Sequence, residues 1–143
     1  MFIDGASRGN PGPAGIGIAI LPADARQSAE PTPIRQVSKY LGETTNNVAE
    51  YLALVYALHE ARTAGCRRLV VKTDSELVSR QVSGAYQVRD PVLRLLHDLA
   101  LHLMREFASV RVEHIPRTAN RLADRLAGQA VRGRTATAAP QAL

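Results

Sequence analysis

Leu69-Val70-Val71-Lys72-Thr73-Asp74-Ser75 is the stretch that decides the architecture. Its first five residues read as a buried strand, and the strand stops on a carboxylate. The strand spans 67–73, and a short helix over 75–81 follows it. Ahead of it lies the clearest helix of the chain, over 47–64, in which Val48, Tyr51, Leu52, Val55 and Leu58 recur at helical spacing. Glu50, Leu54, Ala57, Leu58 and Ala61 form a neighbouring stripe, which turns Glu50 toward the edge of the core. Gly65 is a natural stop for that helix. A passage this long between strands implies a crossover, so the first and fourth strands are expected to pair in parallel.

The remaining elements follow on either side. Residues 1–6 read as a first strand that enters the loop Gly5-Ala6-Ser7-Arg8-Gly9-Asn10-Pro11-Gly12-Pro13. Residues 15–21 alternate small and β-branched side chains, as a second strand would, and 34–41 read as its return. The connections are too short for crossovers, so these three strands form an antiparallel meander. Between the last two, 22–33 carry three prolines and little periodicity and read as an exposed turn. Beyond the break at Ser83-Gly84, Pro91 opens a leucine-rich helix over 91–108. A fifth strand over 110–114, a loop over 116–120 and a last helix over 121–131 complete one α/β domain with a mixed sheet. Residues 1–131 are expected to form the domain and 132–143, rich in Ala, Thr and Arg without periodicity, a flexible C-terminal tail.

Composition narrows the function classes. A chain of 143 residues with 45% apolar content suits one compact domain and argues against disorder. Its single cysteine, Cys66, excludes an internal disulfide and a thiolate zinc site, and it fits a reducing cytoplasm. No apolar run reaches the length of a membrane span, and the immediate entry into a strand argues against a signal peptide. Lys and Arg number 18 against 13 Asp and Glu, a net charge of +5, which favours a polyanionic partner.

Four carboxylates sit in four separate apolar segments: Asp4, Glu50, Asp74 and Asp124. Asp4 and Asp74 both fall where strands end, on the two strands expected to run side by side, and ligands of open α/β sheets gather outside those ends. The two helical acids can reach the same end. Ionised carboxylates beside a core need a compensating cation, and oxygen ligands without a Cys or His cluster select a hard one, Mg²⁺ or Mn²⁺. Four converging carboxylates would hold two cations roughly 4 Å apart, the geometry of in-line displacement at phosphorus. The glycine-rich loop after Asp4 lacks the Gly-Lys-Ser/Thr ending of a P-loop and leads into a strand, which speaks against a nucleotide cradle and leaves a tight turn or a close backbone approach to a sugar–phosphate chain.

Four motifs, in this order along nearly the whole chain, resemble type 1 ribonuclease H. They are the segment from Ile3 through the Asp4 loop to Pro13, Thr44-Thr45-Asn46-Asn47-Val48-Ala49-Glu50, Thr73-Asp74-Ser75, and Asn120-Arg121-Leu122-Ala123-Asp124. The resemblance implies a ribonuclease H-like fold, a five-stranded mixed sheet with helices on both faces. It further implies an endoribonuclease that cleaves the RNA strand of an RNA–DNA hybrid with two Mg²⁺ ions, for which Mn²⁺ substitutes. By the same resemblance Asp4, Glu50, Asp74 and Asp124 are the metal-binding catalytic acids. Asn10, Asn47 and Ser75 are expected to contact the hybrid and Thr45 to line a pocket for a DNA-strand phosphate; Gly5, Ser7 and Asn120 complete the expected substrate-binding set. Only 82–90 stands where many bacterial members carry a basic helix and loop rich in Lys and Trp, and the chain has no Trp, so it resembles the compact branch of the family. Arg117, in the loop before Asp124, is expected to assist catalysis electrostatically, since a guanidinium does not act as a base near neutral pH. His114 is the alternative, at a strand end where packing is expected to hold its ring away. The protein is expected to be a cytoplasmic monomer. Two other classes compete: a hybrid-binding module that does not cut, and a transposase- or integrase-like core on the same fold.

Overall fold

The computed structural model describes residues 1–23 and 32–136. Five strands form one sheet in the order β3-β2-β1-β4-β5. They are β1 (Phe2–Ser7), β2 (Gly12–Ile20), β3 (Arg35–Thr44), β4 (Arg68–Thr73) and β5 (Ser109–His114). The first three pair antiparallel, and β4 pairs in parallel with both β1 and β5, as the chain order requires. Four helices complete the domain: α1 (Asn46–Thr63), α2 (Glu76–Val82), α3 (Pro91–Met104) and α4 (Arg121–Ala136). Among the described residues no helix is long and apolar enough to cross a membrane.

Two close approaches place the helices on opposite faces of the sheet. A Cβ added to Gly5 would lie 2.3 Å from the Ala49 carbonyl carbon, so α1 lies directly on β1 there. A Cβ added to Gly17 would lie 2.1 Å from the Ala123 carbonyl oxygen, so α4 lies equally close to β2. Asp4 pairs with Gly17 across β1 and β2, so both point toward α4, whereas Gly5, the next residue, faces α1. Small residues serve each contact: Ala49, Ala53, Ala57 and Ala61 recur every fourth position on buried α1, and Ala123, Ala127 and Ala130 are buried on α4. The main core lies between α1, α3 and the sheet, with Ile3, Ile16, Ile18, Tyr51, Leu54, Leu58 and Val71 all but sealed from solvent. Each large apolar side chain buried this way contributes about 1.5–3 kcal/mol.

The strands differ in length where it matters. β4 ends at Thr73 and β5 at His114, paired with each other, while β1 continues to Ser7 along β2. Ile3 is level with Thr73, so Asp4 and Asp74 emerge side by side at a notch in the sheet.

Several boundaries differ from the sequence reading. The leucine-rich helix ends at Met104 rather than 108, because the Ala108 amide already donates to the Arg67 carbonyl at 2.8 Å and has joined the sheet. β3 runs on to Thr44, extending the hairpin beyond 41. α4 continues past 131 to Ala136, so the start of the expected tail is helical. Residues 24–31 of the expected turn and 137–143 of the expected tail lie outside the described residues. On α1 the fully buried face is the stripe with Glu50, Leu54, Ala57, Leu58 and Ala61, while Val48, Leu52 and Val55 are only half-buried.

Gly17→Ala is therefore expected to destabilise the domain by roughly 1–3 kcal/mol, the usual penalty of overpacking, because α4 must move off β2. Gly42 has nothing near its added Cβ, and its φ of +86 makes Gly42→Ala a test of backbone strain alone. Urea unfolding measures both. An unchanged midpoint for Gly17→Ala would contradict the described seating of α4.

Candidate active site

Asp4, Glu50 and Asp74 each bring a carboxylate oxygen to the notch, and these oxygens lie within 4.8 Å of one another. Asp4 and Glu50 are 5% and 6% exposed; Asp74 is half-buried. Asp124 stands at the rim. Its side chain is 43% exposed and lies outside the group of three, but it shares a hydrogen bond with the Asp4 side chain. The structure thus brings three of the four expected acids into one cluster and adds the fourth through Asp4.

Each acid is fixed by its neighbours in the fold. The Gly5 amide donates to Glu50 Oε1 at 2.5 Å, a bond made possible by the close approach of α1 to β1. Asp4 is set by its register with Gly17, directly beneath the first turn of α4. Asp74 follows the last residue of β4, and the Asn120 side-chain amide donates to its Oδ2 at 3.4 Å. A 3₁₀ turn over Arg117–Ala119 leads into α4, and one Arg117 nitrogen stands 3.6 Å from Asp124 Oδ1.

Burial and crowding oppose ionisation of the cluster. The Asp4 carboxyl is raised far above its ordinary value by burial first, then by the charges of Glu50 and Asp74 and by its bond to Asp124. Glu50 is raised by burial first; the Gly5 amide, its bond to Asp4 and the Arg117 charge pull the other way, while Asp74 adds repulsion. A divalent cation would relieve both effects at once. The donor set is carboxylate oxygen without sulfur or imidazole, which suits a hard ion, so the residues present fit a divalent metal.

The expected substrate-binding residues divide into two groups. Around the start of α1, Asn10 Oδ1 accepts the Asn46 amide at 3.1 Å, and Thr45 Oγ1 caps the helix by accepting the Val48 amide at 3.3 Å. Asn47 is exposed in the first turn. Ser7 ties this corner together, its hydroxyl donating to the Thr44 carbonyl at 2.9 Å. The second group lies deeper in the fold. Gly5 is buried with its amide on Glu50, Ser75 is 9% exposed with its hydroxyl capping α2, and Asn120 is 1% exposed. These three lie in the floor of the site, beneath the acids. His114 is corrected: it is exposed at the end of β5, level with Thr73, so packing does not hold it away. Arg117 is the more exposed partner of its ion pair, at 81%. Sequence reasoning missed the seating of Gly15 and Gly17 against Ala123, Ala127 and Ala130. Its signal was a strand with glycines on one face, at 15 and 17, and a last helix with alanines at 123, 127 and 130.

Comparisons with known proteins agree with this geometry. The family described as reverse transcriptase-like matches residues 2–130. The RNase H1 crystal structure from Halobacterium salinarum NRC-1 superposes with a TM-score of 0.84 at 37% identity, covering 92% of this chain and 96% of that one. LC11-RNase H1 in complex with an RNA/DNA hybrid gives a TM-score of 0.85 at 37% identity, with 94% and 96% covered. The bifunctional protein Rv2228c of Mycobacterium tuberculosis is 40% identical over 139 residues, 97% of this chain but 37% of that protein. The chain thus spans little more than a third of the length of that curated relative. Fold, acidic cluster and sequence similarity coincide, and the chain belongs to the ribonuclease H branch of the reverse transcriptase-like family.

Proposed function

We propose that the chain hydrolyses the RNA strand of RNA–DNA hybrids with two Mg²⁺ ions, for which Mn²⁺ substitutes. The observation that carries the reading is the cluster of Asp4, Glu50 and Asp74, three carboxylates with oxygens within 4.8 Å of one another, two of them buried, a crowding that a cation would relieve. Asp4, Glu50 and Asp74 would hold the metal, with Asp124 joining through the rim. Metal bound there supplies Lewis acidity at phosphorus and a water acidified by coordination. The protein contributes position: carboxylates fixed by Gly5, by strand register and by α4 need little reorganisation as charge develops.

The corner built from Asn10, Thr45 and Asn47 is the proposed seat of a DNA-strand phosphate, where exposed polar side chains meet the N-terminus of α1. Arg117 is the proposed electrostatic assistant, since its charge already acts on Glu50 and its guanidinium stands beside Asp124. LC11-RNase H1, the relative that holds an RNA/DNA hybrid, supports the choice of substrate. A module that binds hybrids without cutting is the weaker reading, because clustered carboxylates beside phosphate would only repel it. The same reading takes the chain as a cytoplasmic monomer, in keeping with the free thiol of Cys66.

Matched, labelled RNA–DNA, RNA–RNA and DNA–DNA duplexes, each with and without Mg²⁺, test the proposal. Only the RNA strand of the hybrid should be cut, only with metal, and Asp74→Asn should abolish cutting while the circular dichroism stays unchanged. Near-wild-type turnover by Asp74→Asn would end the metal-site reading.

Asp4→Asn is expected to raise the melting temperature of the chelator-treated protein at pH 8, by about 4 °C for each kcal/mol that the wild type loses by holding the Asp4 proton. Below the ordinary carboxyl value of 3.8, Asp4 is protonated both folded and unfolded, and the variant gains nothing. As pH rises past that value the unfolded chain releases the proton while the folded chain retains it, so the wild type loses stability and the difference grows. A gain that is constant from pH 4 to 8 would contradict this origin.

Arg117→Ala is expected to lower kcat on the order of a hundredfold at saturating hybrid and Mg²⁺. His114→Ala should lose far less. The reverse ranking, in two folded variants, would transfer the assisting role to His114.

A further inference from the structure

We propose that Asn120 is a positioning residue that sets the metal affinity of the site by fixing the Asp74 carboxylate against β1. This rests on the reading of Asp4, Glu50 and Asp74 as metal ligands. Asn120 is 1% exposed and meets three of the four acidic segments. Its Nδ2 donates to the Ile3 carbonyl at 2.8 Å, one residue before Asp4, and to Asp74 Oδ2 at 3.4 Å. Its own carbonyl accepts the Asp124 amide at 3.1 Å, which closes the first turn of α4. The short bond to β1 is the anchor, and the longer one restrains the carboxylate at its far side.

The chemistry of the side chain supports a role beyond packing. Its Oδ1 is buried without a partner, which a folded core normally avoids. Turning the amide over would set that oxygen against the Ile3 carbonyl and the Asp74 carboxylate, three acceptors together, so the donors must face the site. A leucine would remove the orphaned Oδ1 but would leave the buried Ile3 carbonyl without its donor and Asp74 without its restraint, so the amide is kept for its two donated bonds. A lysine or arginine would also orient Asp74, but it would neutralise the charge a metal needs. A neutral donor orients the carboxylate and leaves its charge available, as groups behind metal ligands commonly do.

The test is titration of the whole chain with Mn²⁺ by calorimetry, without nucleic acid, for wild type, Asn120→Leu, Asn120→Ala and Asp74→Asn. Thermal melting and hybrid kinetics at saturating Mn²⁺ accompany it. Asn120→Leu is expected to remain folded with a melting temperature lowered by the loss of the bond to Ile3, to bind Mn²⁺ roughly tenfold more weakly and to retain the wild-type KM for hybrid. If the leucine variant does not fold, the smaller Asn120→Ala carries the same readout. Wild-type Mn²⁺ affinity in a folded Asn120 variant overturns the inference, and so does a raised KM with unchanged Mn²⁺ affinity, which would mark a substrate contact. Wild-type affinity in Asp74→Asn would instead overturn the ligand assignment itself.

Discussion

The bond from the Gly5 amide to the Glu50 carboxylate joins the architecture to the chemistry. It exists because β1 offers a bare backbone and α1 offers a face of alanines, so strand and helix meet at a distance that no larger side chain permits. That contact holds an acid from one side of the sheet at the position where Asp4 leaves the other. Any residue but glycine at position 5 would move α1 outward and take Glu50 with it. The fold is thus built around an approach distance, and the bulky core of Ile3, Ile16, Tyr51 and Leu54 fills the space that this distance leaves.

Much of this was legible in the sequence, and the reasons are specific. The mixed sheet followed from the length of the passage before Leu69–Thr73 and from the shortness of the first two connections. The acids were legible because each ended or interrupted an apolar segment. What escaped was governed by small residues. Hydrophobic periodicity weighs bulk, so it gave Val48, Leu52 and Val55 the same standing as Tyr51, Leu54 and Leu58, and it left out Ala49 and Ala53, which are buried beside them. The polar residues around the acids resisted reading for a related reason. Asn120, Ser75 and Thr45 are residue types that cap helices, touch substrates or orient neighbours equally well, and only burial separates these roles. The resemblance to ribonuclease H supplied the family, while the division of its polar residues between the surface and the underside of the site came from the structure.

The site also shows what the fold gives up. Two nearly buried carboxylates beside a third are a poor arrangement for stability, and every neighbour that helps, from the Gly5 amide to Arg117, relieves only part of the repulsion. Local rules fail here while they hold elsewhere in the domain, as expected where selection acts on chemistry rather than on cohesion. The thin, alanine-lined seating of α4 adds to this economy of contact, because it places Asp124 by close approach instead of by a deep apolar anchor.

The link between Asn120 and Ile3 spans 117 positions of sequence, and it closes the notch that the short strands β4 and β5 leave open. Such a contact forms only after the intervening elements have assembled, since the entropy of joining distant segments must be met before the contact can return anything. The cluster of acids draws on segments at both ends of that span, so it is completed only when they meet. During synthesis the nascent chain would be inert toward any nucleic acid nearby until its last helix docks, and a protease cut anywhere between β1 and α4 would weaken the cluster by making its closure bimolecular. The proposed activity would therefore depend on the described elements from β1 to α4 all being in place.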